Sequence, residues 1–229
     1  MYTVQLGRKY YEAYDDRYHQ VHNENLHWFD ENPSPIVMET VMKLSVPKDG
    51  KILEVGCGEG RDARFLLEQG FDILATDISQ AAVDYCKRKY PDFADHFACM
   101  DCLNSRLKQR FDFIYAVAVV HMLVQDEDRD GFYRFVRNHL NEDGVALICC
   151  QGDGELEHKS DISKAFDLQE RIHEASGKTL HIASTSYRAV SFDTFTAEIR
   201  RNGLEILEMG LTDIQPDYFK TMYAVVKKR

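Results

Sequence analysis

The sequence predicts an α/β protein built on a doubly wound, mostly parallel sheet, and three observations favour this class. Short β-branched runs alternate with longer amphipathic segments, which is the pattern of βαβ units. The strand pattern 52–55 (Ile-Leu-Glu-Val) leads directly into a glycine-rich turn at 56–60 and then into a helical pattern. The 229 residues are 44% hydrophobic and 29% charged, as expected for one folded domain with a sizeable core.

Seven segments of the chain have the length and β-branched content of buried strands. They are 51–55, 72–76, 96–100, 111–117, 145–150, 204–211 and 221–227. Four amphipathic segments between them predict helices over 61–69, 80–89, 130–140 and 192–201. Ser79 and Ser191 are suitable N-caps, and Gly70 and Gly203 are suitable stops. Seven strands therefore fit one sheet with helices on both faces.

Charge and cysteine usage exclude several classes of partner. The formal net charge is −10, so the field of the protein repels phosphate backbones and anionic lipid. The six cysteines lie in apolar or strand-like contexts, and no signal-peptide pattern is present at the N-terminus, which predicts reduced thiols in a cytoplasm. Cys99 and Cys102 form a CxxC without a second pair, so we expect no metal site. Nucleic acid and membranes are not expected as partners.

The glycine-rich turn is the most informative stretch. Gly56 and Gly58 permit a positive φ and a close approach of the backbone to a ligand, and the helix that follows presents free N–H donors to an anionic group. The pattern is G-x-G-x-G, and Arg61 stands where the third glycine of a dinucleotide-binding G-x-G-x-x-G would be. A nicotinamide-linked oxidoreductase is therefore the weaker interpretation.

Two acids follow at the ends of the next strands. Asp77 ends the second predicted strand and can accept hydrogen bonds from two ribose hydroxyls, and Asp101 follows the third strand. In a doubly wound sheet these positions share the carboxyl edge with the glycine turn, where ligands bind. Three consecutive strands thus direct polar groups at one crevice.

With these motifs the chain resembles the class I S-adenosylmethionine-dependent methyltransferases, which have a Rossmann-like seven-stranded sheet with one antiparallel strand near the C-terminus. The turn and the run 67–72 also resemble the tellurite-resistance and thiol-methylating branch. The resemblance implies S-adenosyl-L-methionine as cofactor. It covers residues 30–150 well and the remainder loosely.

The resemblance assigns roles to individual positions. The turn would surround the methionine end of the cofactor, with Asp77 on the ribose and Asp101 on the adenine amino group. Arg61 would lie near the cofactor carboxylate, with a solvent-exposed arginine on the helix as the alternative. The fourth strand would lie near the sulfonium. The predicted cofactor-binding residues are Glu54, Gly56, Cys57, Gly58, Gly60, Arg61, Asp77, Ile78, Asp101, Cys102, Ala116 and Val117.

The remaining candidates concern the acceptor. His121 follows the fourth strand and has a side chain whose ordinary pKa of about 6.5 suits a general base, with a loop-shaping role as the alternative. The aromatic N-terminal segment resembles the lid of similar enzymes, with packing on the core as its alternative. The predicted substrate-contacting residues are Tyr14, Tyr18, His22, Trp28 and Tyr187.

We therefore expect one domain with four parts: an N-terminal lid (1–32), a cofactor-binding core (33–151), an insertion that caps the substrate (152–187) and a C-terminal helix with strands (188–229). The insertion is expected to be helical around 162–174. The predicted function is methyl transfer to a small molecule by in-line displacement, in a monomer or homodimer. The alternatives are a nicotinamide-linked oxidoreductase and a non-catalytic module that binds S-adenosylmethionine.

Overall fold

The computed structural model describes residues 7–28, 31–173, 175–213 and 221–229. Parts of the predicted lid and C-terminal region, and Glu174 in the insertion, lie outside these ranges. The strands are β1 (Lys51–Val55), β2 (Asp72–Asp77), β3 (Phe97–Cys99), β4 (Phe111–Val117), β5 (Leu140–Gln151), β6 (His158–Lys159), β7 (Leu168–Ile172), β8 (Thr179–Ala183), β9 (Arg188–Ala189), β10 (Leu204–Thr212) and β11 (Thr221–Lys228). The α-helices are α1 (Ala13–Asn23), α2 (Pro35–Lys43), α3 (Arg61–Glu68), α4 (Gln80–Lys89), α5 (Asp126–His139) and α6 (Phe192–Arg201).

A seven-stranded sheet in the order β10-β11-β5-β4-β1-β2-β3 forms the centre of the molecule. The β1 strand pairs in parallel with β2 and β4, and the parallel pairing continues to β3 and β5. Only β11 reverses direction, since it is antiparallel to both β5 and β10. The predicted fold class is thus confirmed, and the carboxyl ends of β1, β2, β3 and β4 share one edge.

The two faces of the sheet carry separate cores because successive side chains of a strand point to opposite sides. In β1, Ile52 packs with α2, α3 and α4, whereas Leu53 packs with α5 and α6. Phe113 and Ile114 of β4 divide in the same way. The helices therefore hold the strands in an α/β/α arrangement and leave the strand ends free to carry polar groups. In the described part of the chain, no helix is long and apolar enough to cross a membrane.

The helix ends follow from local capping. The Ser79 hydroxyl accepts from the Ala82 N–H at 3.0 Å, and the Ser191 hydroxyl accepts from the Thr194 N–H at 3.2 Å. Both predicted N-caps are confirmed. The α5 helix begins four residues earlier than expected, at Asp126, because three acidic residues in its first turn suit the positive end of the helix dipole.

The insertion between β5 and α6 corrects one prediction. The helix predicted around 162–174 is absent from the described residues 162–173: a short 3-10 turn (Ile162–Lys164) is followed by β7, which pairs antiparallel with β8. Gly177, with φ of 68°, lies in the turn of this hairpin. On the other strand of the hairpin, Leu180 and Ile182 are buried with Val21 of α1. Burial against α1, which is distant in sequence, decides the strand conformation here.

Candidate active site

The glycine turn after β1 is shaped by close backbone packing. The N–H groups of Gly56 and Cys57 both donate to the Thr76 carbonyl, at 2.7 and 2.9 Å. Gly56 has φ of 77°, and a Cβ atom there would lie 2.3 Å from Cγ2 of Val119. Gly58 has φ of 52°, and a Cβ atom there would lie 2.6 Å from the Tyr18 hydroxyl. Only glycine fits these two positions without displacing a neighbour.

Asp77 ties the end of β2 to this turn. Its two carboxylate oxygens accept from the N–H groups of Gly58, at 2.8 Å, and Ser79, at 2.9 Å. The side chain is 8% exposed, and burial raises its pKa. The carboxylate still lines the cavity described below, and an oxygen that accepts from one N–H keeps a lone pair for a ligand.

Asp101, beyond the end of β3, is held in a similar way. One oxygen accepts from the Leu103 N–H at 2.8 Å, and the other accepts from the Asn104 amide at 2.6 Å. The Tyr11 hydroxyl also donates to it, at 3.4 Å. The N-terminal segment therefore reaches the subsite that the sequence assigned to adenine.

The buried carboxyl group of Glu54 shows whether this site fits a cofactor that carries an ammonium group. Glu54 is 3% exposed, and within the described ranges its Oε2 atom makes no hydrogen bond of good geometry. The neighbouring Tyr115 hydroxyl, also buried without a well-aligned partner in these ranges, lowers the pKa of Glu54 only in part. Burial, together with the Asp62 carboxyl, raises the pKa of Glu54 well above its usual range. A cationic donor would satisfy this buried acceptor, as the α-amino group of S-adenosylmethionine can, so the donor and acceptor set fits the predicted cofactor.

His121 lies on the short 3-10 turn Val120–Met122 after β4. It is 6% exposed, it lines the cavity, and within the described ranges its Nδ1 atom has no hydrogen-bond partner. Burial and the nearby Arg129 guanidinium lower the pKa of His121 to about 3. The ring is therefore neutral at physiological pH and offers a hydrogen bond rather than a charge.

A cap made by α1 and the insertion covers this edge of the sheet. The Tyr14 hydroxyl donates to the Ser186 carbonyl at 2.8 Å. The Arg17 guanidinium donates to the carbonyls of Ala183 and Ser184, at 2.9 and 2.7 Å, and lies 5.1 Å from the centroid of the Trp28 ring. The cap, defined here as residues 7–28 with 152–187, is thus held together by hydrogen bonds between its two segments.

A second contact fastens the cap to the glycine turn. The Glu59 side chain accepts from the Trp28 N–H at 2.7 Å and is 2.9 Å from Nε2 of His22. The His22 ring stacks on Tyr85 with centroids 4.4 Å apart. These contacts hold His22 against Glu59 and Tyr85, next to the glycine turn.

One cavity of about 780 Å³ runs from the glycine turn to the cap. Most of the predicted site residues line it: Glu54, Gly56, Cys57, Gly58, Arg61, Asp77, Ile78, Asp101, Cys102, Val117, His121, Tyr14, Tyr18, Trp28 and Tyr187. Three predicted residues are not among its lining residues. A Cβ atom on Gly60 would meet Cys86 and Phe97, Ala116 faces the core on the α5 side, and His22 is held against Glu59 and Tyr85.

Sequence reasoning did not single out Tyr11 and Arg17, which line the cavity, or Arg129, which bonds to the turn that carries His121. Tyr11 and Arg17 lie in the aromatic N-terminal segment, whose contacts depend on distant residues. Arg129 carries a signal in its spacing, because Arg129, Phe132, Tyr133 and Val136 are all buried on one face of α5. All six cysteines are free, and no group of three or more His, Cys, Asp or Glu side chains in the described ranges is arranged to hold a metal.

Comparison with known proteins agrees with this geometry. Residues 52–144 match the family model described as a methyltransferase domain. Over 119 residues the chain is 25% identical to the probable S-adenosyl-L-methionine-dependent methyltransferase TehB of Haemophilus influenzae, covering 51% of this chain and 41% of that protein. Over 136 residues it is 29% identical to the tRNA (carboxymethyluridine(34)-5-O)-methyltransferase of Saccharomyces cerevisiae, covering 58% of this chain and 47% of that protein.

A solved structure shares the fold over nearly the whole chain. The 1,6-didemethyltoxoflavin-N1-methyltransferase of Burkholderia thailandensis, with 1,6-didemethyltoxoflavin and S-adenosylhomocysteine bound, has a TM-score of 0.72 and 15% identity, covering 96% of this chain and 88% of that one. The matches to the first three curated relatives cover 34 to 46% of those proteins' lengths.

Proposed function

The chain belongs, through this domain, to the class I S-adenosylmethionine-dependent methyltransferases, and from this premise we propose that it methylates a small-molecule acceptor. S-adenosylmethionine is its cofactor. The observation that carries the proposal is that one continuous cavity of about 780 Å³ is lined by both the glycine turn and the cap. Its volume lies in the upper part of the range of about 300 to 1,000 Å³ typical of small-molecule sites, which leaves space for an acceptor beside a cofactor.

Charge and the cap support a small acceptor over a polynucleotide. The net charge of −10 opposes a long anionic chain, and the cap covers the carboxyl edge of the sheet. The relative that acts on tRNA makes RNA the alternative acceptor to be tested.

When bound, the cofactor supplies an electrophilic methyl group on a sulfonium. The task of the chain is then to hold the acceptor in line and to keep water out. Glu54 and Asp77 would hold the ammonium and ribose hydroxyls, and Asp101 with Tyr11 would border the adenine. Trp28, Tyr14 and Tyr187 would close the acceptor end. Neutral His121 would accept a hydrogen bond from the O–H, N–H or S–H of the acceptor and so orient its lone pair.

Two experiments test this function. Calorimetric titration should show binding of S-adenosylmethionine but not of NAD, and cofactor at a hundredfold its Kd should raise the free energy of unfolding by about 2.7 kcal/mol. Incubation with thiols, phenols, heteroaromatic amines, chalcogen oxyanions and bulk tRNA, with detection of S-adenosylhomocysteine, should show turnover with a small molecule. Turnover with tRNA alone would contradict the proposed acceptor class, and binding without any turnover would favour a non-catalytic module.

A further inference from the structure

A buried ion pair joins α5 and α6 next to the candidate active site. Arg129 and Glu198 both have side chains with 0% exposure, and the guanidinium donates twice to the carboxylate, from Nε at 2.7 Å and from Nη2 at 2.6 Å. The Tyr133 hydroxyl donates to the same carboxylate at 3.0 Å. The carboxylate therefore binds one edge of the guanidinium plane in a bidentate contact and is itself held by Tyr133.

The remaining nitrogen of Arg129 reaches the turn that carries His121. Nη1 donates to the Val120 carbonyl at 2.7 Å and to the Leu123 carbonyl at 3.2 Å. These two carbonyls lie on either side of His121 in the chain. The guanidinium thus holds both ends of the 3-10 turn with one planar, rigid group.

Two further features show that the turn between β4 and α5 is held in one conformation by its surroundings. Ala118, just before it, has φ of 58°, a left-handed conformation that costs a non-glycine residue free energy and persists only where its surroundings impose it. On the side of the cap, the Ser186 hydroxyl donates to the Met122 carbonyl at 3.1 Å. The turn is therefore held by Arg129 on one side and by the insertion on the other.

We propose that Arg129, oriented by Glu198 and Tyr133, is a positioning residue that fixes the Val120–Met122 turn and keeps the His121 ring in the wall of the cavity. The inference rests on the proposed function, because the position of His121 matters only if an acceptor lies beside it. A buried ion pair contributes little net stability compared with apolar side chains of similar volume, so its contribution here is geometric.

The decisive variant is the double substitution Arg129→Met with Glu198→Leu. It removes both charges together, so no unpaired charge remains in the core and the fold is expected to persist. Hydrogen exchange of the Met122 and Leu123 amides, which donate to the Val119 and Val120 carbonyls, should quicken at least tenfold. In NMR titration, the pKa of His121 should rise because the neighbouring positive charge is gone. Once an acceptor is known, kcat should fall at least tenfold while the Kd of S-adenosylmethionine stays unchanged.

Arg129→Lys provides a second variant that keeps a charge beside Glu198. An ammonium has three donors on one atom and cannot replace the four hydrogen bonds that the planar guanidinium makes, so amide exchange in the turn should quicken here too. Arg134→Met, an exposed arginine on the same helix, is the matched control and should change neither exchange nor the titration of His121. If the folded double variant and Arg129→Lys both keep wild-type exchange at Met122 and Leu123, the inference is wrong. The exchange and titration measurements need no acceptor, so their outcome is separate from failure of the proposed function.

Discussion

The cavity has a cofactor end, at the glycine turn, and a cap end. The hydrogen bonds that stabilise these two ends differ greatly in the sequence separation of their partners. At the cofactor end, Asp77 bonds to the Gly58 N–H, 19 positions away, and to the Ser79 N–H, two positions away. At the cap end, Tyr14 bonds to a carbonyl 172 positions away, and Arg17 to one 166 positions away. The first region is thus encoded by short spacings, whereas the second depends on the completed tertiary structure.

The largest expected effect is at the cofactor end, from Gly56→Ala. A Cβ atom there would meet Cγ2 of Val119 at 2.3 Å in a left-handed backbone, so overpacking adds about 1–3 kcal/mol to a conformational cost of about 1–2 kcal/mol. Denaturant unfolding measures the loss, and titration should show weaker binding of the cofactor. Gly70→Ala is the matched control, since Gly70 has φ of 82° and open space around its Cβ position. Equal losses in the two variants would show that close packing at the turn is unimportant.

The next effect concerns His121, at the boundary between the two regions. Folding holds its ring neutral down to about pH 3, whereas the unfolded chain takes up a proton near pH 6.5. Between these values the unfolded state binds more protons, so the contribution of His121 to the free energy of unfolding falls by about 1.4 kcal/mol for each unit that pH decreases. The free energy of unfolding of wild type and of His121→Gln should be measured at pH 7.5 and at pH 5. The carboxyl groups titrate in both proteins, so the change in the difference between them reports the contribution of His121 alone. Parallel curves would contradict the burial of the ring.

Asp77→Ala should weaken S-adenosylmethionine binding more than tenfold, because a charge-assisted hydrogen bond contributes about 1.5–3 kcal/mol. It also leaves the N–H groups of Gly58 and Ser79 without their acceptor, so we expect some loss of stability as well. Calorimetry at a temperature well below unfolding separates the two effects. Asp72→Ala, at the opposite end of the same strand and partly exposed, should leave the Kd unchanged.

The smallest expected effect is in the cap. Tyr14→Phe removes one hydrogen bond to Ser186, about 0.5–1.5 kcal/mol, so the KM of the acceptor should rise several-fold while the Kd of the cofactor is retained. Tyr223→Phe removes a comparable hydrogen bond, to Glu208 at 3.0 Å, away from the cavity, and serves as the control. If the Kd of the cofactor rose as much as the KM of the acceptor, the cap would contribute to cofactor binding as well, and the separation of the two regions would be wrong.

The limits of prediction from sequence follow the same division. The glycine turn, Asp77, Asp101 and the caps Ser79 and Ser191 were predictable because each depends on neighbours within a strand–turn–helix unit. The hairpin of β7 and β8 was not, because its buried residues are covered by α1, whose first residue lies more than 150 positions earlier.

The buried ion pair of Arg129 and Glu198 could be predicted from the sequence only in part. Glu198 shares a helix face with the buried residues Phe195 and Ile199, as Arg129 does on α5, so the spacing could have identified both charges as buried. The pairing itself could not have been deduced, since it depends on how the two helices pack.

The described residues of the cap add no strand to the central sheet, since β6 pairs with β9 and β7 pairs with β8 in separate two-stranded sheets. Amino-acid changes in the 152–187 segment are expected to alter the acceptor end with little effect on the glycine turn and the strand ends, whereas the 7–28 segment also contacts Asp101 and Glu59. We therefore expect the 152–187 segment to tolerate substitution better than the strand ends do. Libraries aimed at new acceptors should randomise cap positions such as Gln169, Arg171 and Tyr187, which line the cavity, and leave the strand ends untouched.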